Sequence, residues 1–459
     1  MRVLPVIISL LLITSVSAQA PSPPSRDNGI YLGMGYGAVG IVDALLDYVS
    51  TNQDNKIETV INSTVTKLLK VSSNLNWHKT TEDKTLWTGY KYGQEGLQKL
   101  FLRLYQRYGI SNFLQISEKL LNDRIIQYNN QVNKTFWGYE YINTSTALGI
   151  SLTGLDFGAS SVISNALDLY QITGNSSYLG IAESAASWMI GLRNATAPDP
   201  LNLAIPWFEV EGFKPVYITS HARGMAGMIP QFSRLYSITQ NQTYRNIQTD
   251  LVNYLLASQL EDGSWTLDSN TDTVYLNLDE GVAGVILSLD RYARSIDGVN
   301  ESITKAIGYI ENNILTIDSF QYSTGLPGIL EVFKKMNYNS DRVEVAERMF
   351  LNNFKVANDG KEKFIVYESD IKDGVYDLSL KNGLAGAFRV LLKLQPNSPL
   401  ISGILSTYNL FNEDGLWRRQ IELPASYFTS DDSPNLLLYA SIVMILALIA
   451  LVILKIKSN

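Results

Sequence analysis

Apolar positions recur at helical spacing through most of this chain, and each helical stretch is headed by two glycines three residues apart. The pairs are Gly37 and Gly40, Gly93 and Gly96, Gly224 and Gly227, Gly281 and Gly284, Gly325 and Gly328, and Gly383 and Gly386. A further copy, Gly158 to Ser161, has lost its second glycine. Successive first glycines lie 56, 65, 66, 57, 44 and 58 residues apart, room for two helices and their connections. In the fifth copy Val285, Leu289 and Tyr292 follow the i, i+4, i+7 spacing of one buried face. The third copy reaches Tyr170, breaks at Thr173-Gly174-Asn175, and resumes with Tyr178, Ala182, Ala185, Met189 and Leu192 on one stripe. The fourth breaks at Thr239-Gln240-Asn241 before Tyr244, Ile247, Leu251 and Tyr254. Each unit therefore reads as helix, turn, helix. Proline is tolerated in the first helical turn and costs about 3 kcal/mol further in, so Pro230 and Pro327 place the glycine pair at the start of the first helix. Seven such units in register predict an all-α fold, an α/α toroid with parallel inner helices and outer helices wrapped around them.

The pattern is broken in three places. Gly360 to Leu380 carries Lys363-Phe-Ile-Val-Tyr-Glu368, a predicted strand or hairpin before the seventh copy. Asn409 to Pro434 reads as a polar stalk or final cap. The two ends are apolar. Arg2 followed by Val3 to Ile13 and by Ala18-Gln19-Ala20 forms a signal peptide over residues 1–20. Leu436 to Leu454 is long enough at about 1.5 Å per residue to cross a hydrocarbon core of about 30 Å, which predicts a transmembrane helix over 435–454. Lys455 and Lys457 place the tail, 455–459, in the cytoplasm and the domain 21–434 outside. The localisation expected is a single-pass protein of the cell membrane.

Composition narrows the chemistry by subtraction. The chain has no cysteine, which removes disulfides, thiolate metal ligands and cysteine nucleophiles. A formal charge of −7 argues against nucleic acid as a partner. Seven N-x-S/T sites, at Asn62, Asn133, Asn143, Asn175, Asn194, Asn241 and Asn300, are candidate glycosylation positions on an external domain.

Seven helical hairpins headed by G-x-x-G resemble the lanthionine synthetase C-like family, over essentially the whole external domain. The resemblance implies an α/α toroid of seven inner and seven outer helices. It also implies a zinc ion, held by two cysteines and a histidine, that closes thioether rings in peptides. The element W-C-Y-G-x-P-G has its counterpart in Tyr322-Ser323-Thr324-Gly325-Leu326-Pro327-Gly328, with Ser323 at the cysteine. The element C-H-G falls on Lys381-Asn382-Gly383, with Lys381 and Asn382 at the other two ligands. A protonated lysine cannot ligate zinc, and serine and asparagine are poor zinc ligands, so no metal and no cofactor is expected. A second resemblance is local: Gln259-Leu-Glu-Asp-Gly-Ser-Trp265 is similar to the Q-x-x-x-G-x-W turn of terpene cyclases and related toroids, a helix-end closure without chemistry of its own. Asn412-Glu-Asp-Gly-Leu-Trp417 reads as a degraded copy.

The residues flanking the glycine pairs are expected to line a central mouth: Tyr36, Tyr92, Phe157, His221, Arg223, Asp279, Glu280, Thr324, Lys381 and Asn382. His221 is a candidate for proton transfer, against a merely solvated or hydrogen-bonded histidine, and His78 reads as a surface residue. Asp279 and Glu280 are candidate general acids or bases, although an N-cap and first-turn role in the fifth inner helix is favoured. Two functions stay open. One is a toroid without zinc, anchored by its C-terminal helix, that binds a peptide or glycan in its mouth. The other is an extracellular carbohydrate-active enzyme (hydrolase, lyase or epimerase) in which two carboxylates, or a carboxylate and His221, face each other. For the second, Trp207-Phe208-Glu209-Val210-Glu211 and Asp262 to Asp268 offer aromatic and acidic side chains.

Overall fold

A computed structural model of the chain describes residues 30–72, 77, 81, 89–91, 93–132, 152–156, 158–208, 214–369, 374–413, 416–417 and 419–423. The predicted signal peptide and transmembrane helix lie outside these residues. No helix within them is long and apolar enough to cross a membrane.

The described residues form fourteen α-helices in seven consecutive hairpins. They are α1 (Ala38–Thr51) with α2 (Asn55–Val71), α3 (Gln94–Tyr108) with α4 (Ser111–Val132), α5 (Ala159–Thr173) with α6 (Ser176–Gly191), and α7 (Met225–Thr239) with α8 (Gln242–Ala257). They continue with α9 (Val282–Tyr292) and α10 (Val299–Asn313), α11 (Leu326–Lys335) and α12 (Asp341–Leu351), and α13 (Leu384–Leu394) and α14 (Leu400–Leu410). The odd-numbered helices each pack on the next, and α13 packs back on α1, so the inner layer closes. One continuous hydrophobic core runs through all seven hairpins. Ion pairs between neighbouring inner helices reinforce the closure: Arg389 of α13 reaches Asp47 of α1 at 2.7 Å, Arg103 of α3 reaches the same residue at 2.6 Å, and Arg234 of α7 reaches Asp168 of α5 at 2.7 Å.

The glycine pair starts each inner helix, as its spacing predicts. The first glycine is the N-cap, in extended conformation, and the second is the third helical residue. The crowding they relieve is with the preceding loop of their own unit. A Cβ on Gly284 would stand 2.1 Å from the Leu278 carbonyl oxygen and 2.7 Å from the His221 Cβ of the previous unit. In the third copy Ser161 replaces that glycine, and its hydroxyl donates to Glu95 of the second unit. Pro327 lies in the first turn of α11, but Pro230 lies inside α7, deeper than its proximity to the glycines implied.

Irregular structure gathers on either side of the seventh hairpin. β1 (Phe354–Asn358) and β2 (Lys363–Tyr367) form the predicted hairpin, while β3 (Val375–Asp377) pairs antiparallel with β6 (Gln420–Glu422). The two-residue strands β4 (Asn412–Glu413) and β5 (Leu416–Trp417) pair between them, so the described part of the stretch after Asn409 is a cap on the toroid. Three tryptophans close outer-helix ends through Nε1: Trp265 donates to Leu255 at 2.7 Å, Trp417 to Tyr408 at 2.8 Å and Trp77 to Leu68 at 2.7 Å. Gln259 completes the first of these by donating to the Gly263 and Ser302 carbonyls, both at 2.9 Å.

Candidate functional site: a ring of seven loops

The loops entering the inner helices are stitched to one another by their backbones. Gly35 N–H donates to Lys91 O, Lys91 to Asp156, Asp156 to Ala222, Ala222 to Asp279, Asp279 to Ser323, Ser323 to Lys381, and Lys381 back to Gly35, at 2.7–3.4 Å. These seven residues are the positions two before each first glycine. The cycle fixes three concentric columns. Two before the glycine, side chains converge on the ring; of the described residues, one before it stand Tyr36, Arg223, Glu280, Thr324 and Asn382, and three before it lie Met34, Tyr90, Leu155, His221, Leu278, Tyr322 and Leu380.

At the ring, Lys381 reaches across from the seventh unit. Its ammonium donates to Asp156 of the third unit at 3.0 Å and to Asp279 of the fifth at 2.6 Å, and all three side chains are about nine-tenths buried. Burial and the Asp156 charge lift the Asp279 carboxyl, against the pull of Lys381, to about 6. Burial acts on Asp156 in the same sense, but the Lys381 and Lys91 charges outweigh it and hold that carboxyl low. Lys381 is lifted by its two carboxylates in spite of burial. Two buried carboxylates on one ammonium cannot both ionise with equal ease, which separates their titrations.

The outer column forms a rim. Arg223 Nε pairs with Glu280 at 2.7 Å, its guanidinium lies 5.6 Å from the Trp207 ring centre, and Ser220 donates to Glu280 at 3.0 Å. Arg419, held by Asp377 at 2.9 Å, stacks 4.5 Å from the Tyr36 ring. Thr324 is exposed and donates to Gln321 at 3.0 Å, while Asn382 is buried.

Several expectations change at this point. Asp279 and Glu280 are not N-cap or first-turn acids: the N-cap of α9 is Gly281 and its first turn holds no acid. His221 is partly exposed, three places before Gly224. It lies in the inner column, packs against Gly284, and its Nδ1 meets the Ser288 hydroxyl at 3.2 Å. Tyr92, Phe157 and His78 fall outside the described residues, as do Glu209 to Glu211, Asn133 and Asn143. Asp262 and Asp268 make local turns, accepting from Ser264 N at 2.9 Å and Asn270 N at 2.7 Å. Asn62, Asn175, Asn194, Asn241 and Asn300 are all exposed, and Asn175 and Asn241 cap α6 and α8. Asp156 and Lys91 are site residues that the sequence reading missed.

Burial lowers the His221 pKa to about 4, with Asp156 opposing the shift. Between pH 4 and about 6.5 the unfolded chain binds a proton there that the folded chain does not, so this contribution to stability is present above pH 6.5 and is lost on acidification. His221→Gln is expected to flatten the acid limb of stability against pH by at most about 3 kcal/mol. Denaturant midpoints from pH 4 to 7 check this; an unchanged limb would place the neutral histidine elsewhere in the balance.

A closed ring of seven parallel inner helices inside seven outer ones defines the class of an α/α toroid with one central mouth. The family described as "Lanthionine synthetase C-like protein" matches residues 157–405, and the chain belongs to that family. Among solved structures it is similar to nisin cyclase, at 13% identity and a TM-score of 0.55 over 90% of this chain and 98% of that one. It is more distantly similar to a sugar epimerase from a ruminal bacterium, at 15% identity and a TM-score of 0.44 over 64% of this chain and 82% of that one. A family 76 glycoside hydrolase (mannosidase) from Bacteroides thetaiotaomicron matches at 12% identity and 0.45, over 77% and 97%. No curated protein sequence matches the chain.

The zinc that the family resemblance implies does not fit these residues. Ser323 and Lys381 are adjacent ring members, Asn382 is next to them, and the Lys381 nitrogen is already spent as a cation on two aspartates. Among the described residues no group of three histidine, cysteine or acidic side chains is placed to hold a metal.

Proposed function

We propose that this protein is a membrane-anchored, cell-surface toroid that binds a peptide or glycan at its mouth without zinc. The observation that carries the reading is Lys381, a fixed ammonium at a ligand position of the family's metal, neutralised by Asp156 and Asp279. The ring is thereby braced internally, and the rim above it supplies what a polar ligand needs. Arg223 and Glu280 are partly exposed and offer charge and hydrogen bonds, Arg223 backed by the buried Trp207 ring, and Thr324 is exposed. Such a mixture suits sugar rings or peptide amides better than apolar ligands. The full-length protein in lipid nanodiscs, screened against glycan and peptide arrays, is expected to retain ligands without converting them. Arg223→Ala, which also unpairs Glu280, is expected to weaken the retained ligand about tenfold, roughly the 1.4 kcal/mol that removing one good anchor costs. Full retention by that variant would remove the rim from the binding surface.

One observation favours a second function. Asp279, lifted to about 6, and the low-titrating Asp156 form a carboxyl pair of the kind used for acid and base roles. Turnover of any arrayed glycan, abolished by Asp279→Asn, would replace simple binding by carbohydrate chemistry.

A further inference from the structure

We infer that the mouth faces the membrane that anchors the protein, so that its ligand is a peptide or glycan carried on that same membrane. The inference rests on the anchored reading above and adds an orientation to it. In each hairpin the inner helix starts at the mouth and the outer helix returns, so outer-helix C-termini and inner-helix N-termini share one face. The chain leaves α14 on that face and stays there. Arg419 stacks on Tyr36 of the rim, Leu378 N–H donates to Arg419 O at 2.7 Å, and β6 runs antiparallel to β3, the strand feeding the seventh ring loop. Leu423, whose N–H donates to Gly374 O at 2.8 Å, is the last described residue, and it is still tied to that loop.

Eleven residues, 424–434, then separate this point from the predicted membrane helix. Fully extended they reach about 40 Å, and relaxed they span about 20 Å. Inner helices of up to 15 residues make the toroid about 25 Å deep once end loops are added. With the mouth turned away from the bilayer, the stalk would have to stretch beyond its relaxed span along the flank. With the mouth turned toward it, a relaxed stalk suffices.

The absence of cysteine makes the test direct, because one introduced cysteine gives one label. The full-length chain carrying Thr324→Cys on the rim, or Gln242→Cys at the opposite end beside the α7–α8 turn, is labelled with a donor dye. Each is then reconstituted into phosphatidylcholine vesicles containing a headgroup-labelled acceptor. The rim donor is expected to be quenched at least twofold more strongly than the donor at the far end. Flotation with the vesicles but equal or reversed quenching overturns the orientation while leaving the anchor intact. Failure to float overturns the anchor and the orientation with it.

Discussion

Replacing Lys381 by methionine is expected to destabilise the protein by about 3–5 kcal/mol at neutral pH, the largest effect of any single side chain at the mouth. The change removes the ammonium that pairs directly with both Asp156 and Asp279, and leaves two carboxylates buried in proximity. Breaking a buried ion pair from one side leaves an uncompensated charge, whereas removing all its charges together is often neutral. The triple variant Lys381→Met, Asp156→Asn, Asp279→Asn is therefore expected to recover most of the loss. Acidification gives an independent signature. With the ammonium gone, Asp156 is released upward and Asp279 rises further, so the single variant should regain stability relative to the parent as pH falls from 7 toward 5. Here the folded pKa exceeds the unfolded one, so the stabilising contribution is present at low pH and lost as pH rises through the folded value. Denaturant titrations of the parent, single and triple variants at pH 5 and 7 measure all of this. A single-variant loss under about 1 kcal/mol, or a triple variant no better than the single, would show that the three groups are solvated and independent.

Much of this architecture is legible from the glycines alone. Six glycine pairs and a seventh copy that keeps only its first glycine, all in register, forced the hairpin count, the start of each inner helix and the closure of the ring, because each answers the same steric demand. The site was harder to read, for a geometric reason. Side chains just before the first glycine diverge: Arg223 goes to the rim, Ala222 joins the ring and His221 packs against Gly284. Treating the flanks as one lining set merged three columns. Read two places before the glycine, the chain gives Gly35, Lys91, Asp156, Ala222, Asp279, Ser323 and Lys381, a set with two lysines and two aspartates. That Lys381 reaches past Ser323 to two other units follows from the curvature of the ring, which no linear spacing encodes. Trp77 escaped for a different reason: it closes its helix end as Trp265 does, but lacks the flanking glutamine and glycine that made the latter visible.

The same steric demand predicts opposite outcomes for two glycine-to-alanine substitutions. A Cβ at position 386 would lie 2.2 Å from the Leu380 carbonyl oxygen and 2.4 Å from the Tyr322 Cβ. Neither contact can be relieved by turning a side chain, since one partner is backbone and the other is the root of its side chain. Tyr322 is also pinned at its far end, where its hydroxyl donates to Glu331 at 2.7 Å, and Glu331 in turn takes an ion pair from Lys335 at 2.6 Å. Moving the ring loop aside would strain the Ser323–Lys381 and Lys381–Gly35 links that close the cycle. Gly386→Ala is therefore expected to lose at least about 3 kcal/mol, at the severe end of overpacking in a closed core. Gly180, by contrast, sits within outer helix α6 with open space where its Cβ would be. There alanine only restricts the unfolded chain and favours the helix, so Gly180→Ala is expected to gain about 0.5–1 kcal/mol. Paired denaturant titrations decide the matter. If Gly386→Ala unfolded within 0.5 kcal/mol of the parent, the glycine pairs would not be the wedge-free seats on which the ring closes, and the repeat would need another physical cause.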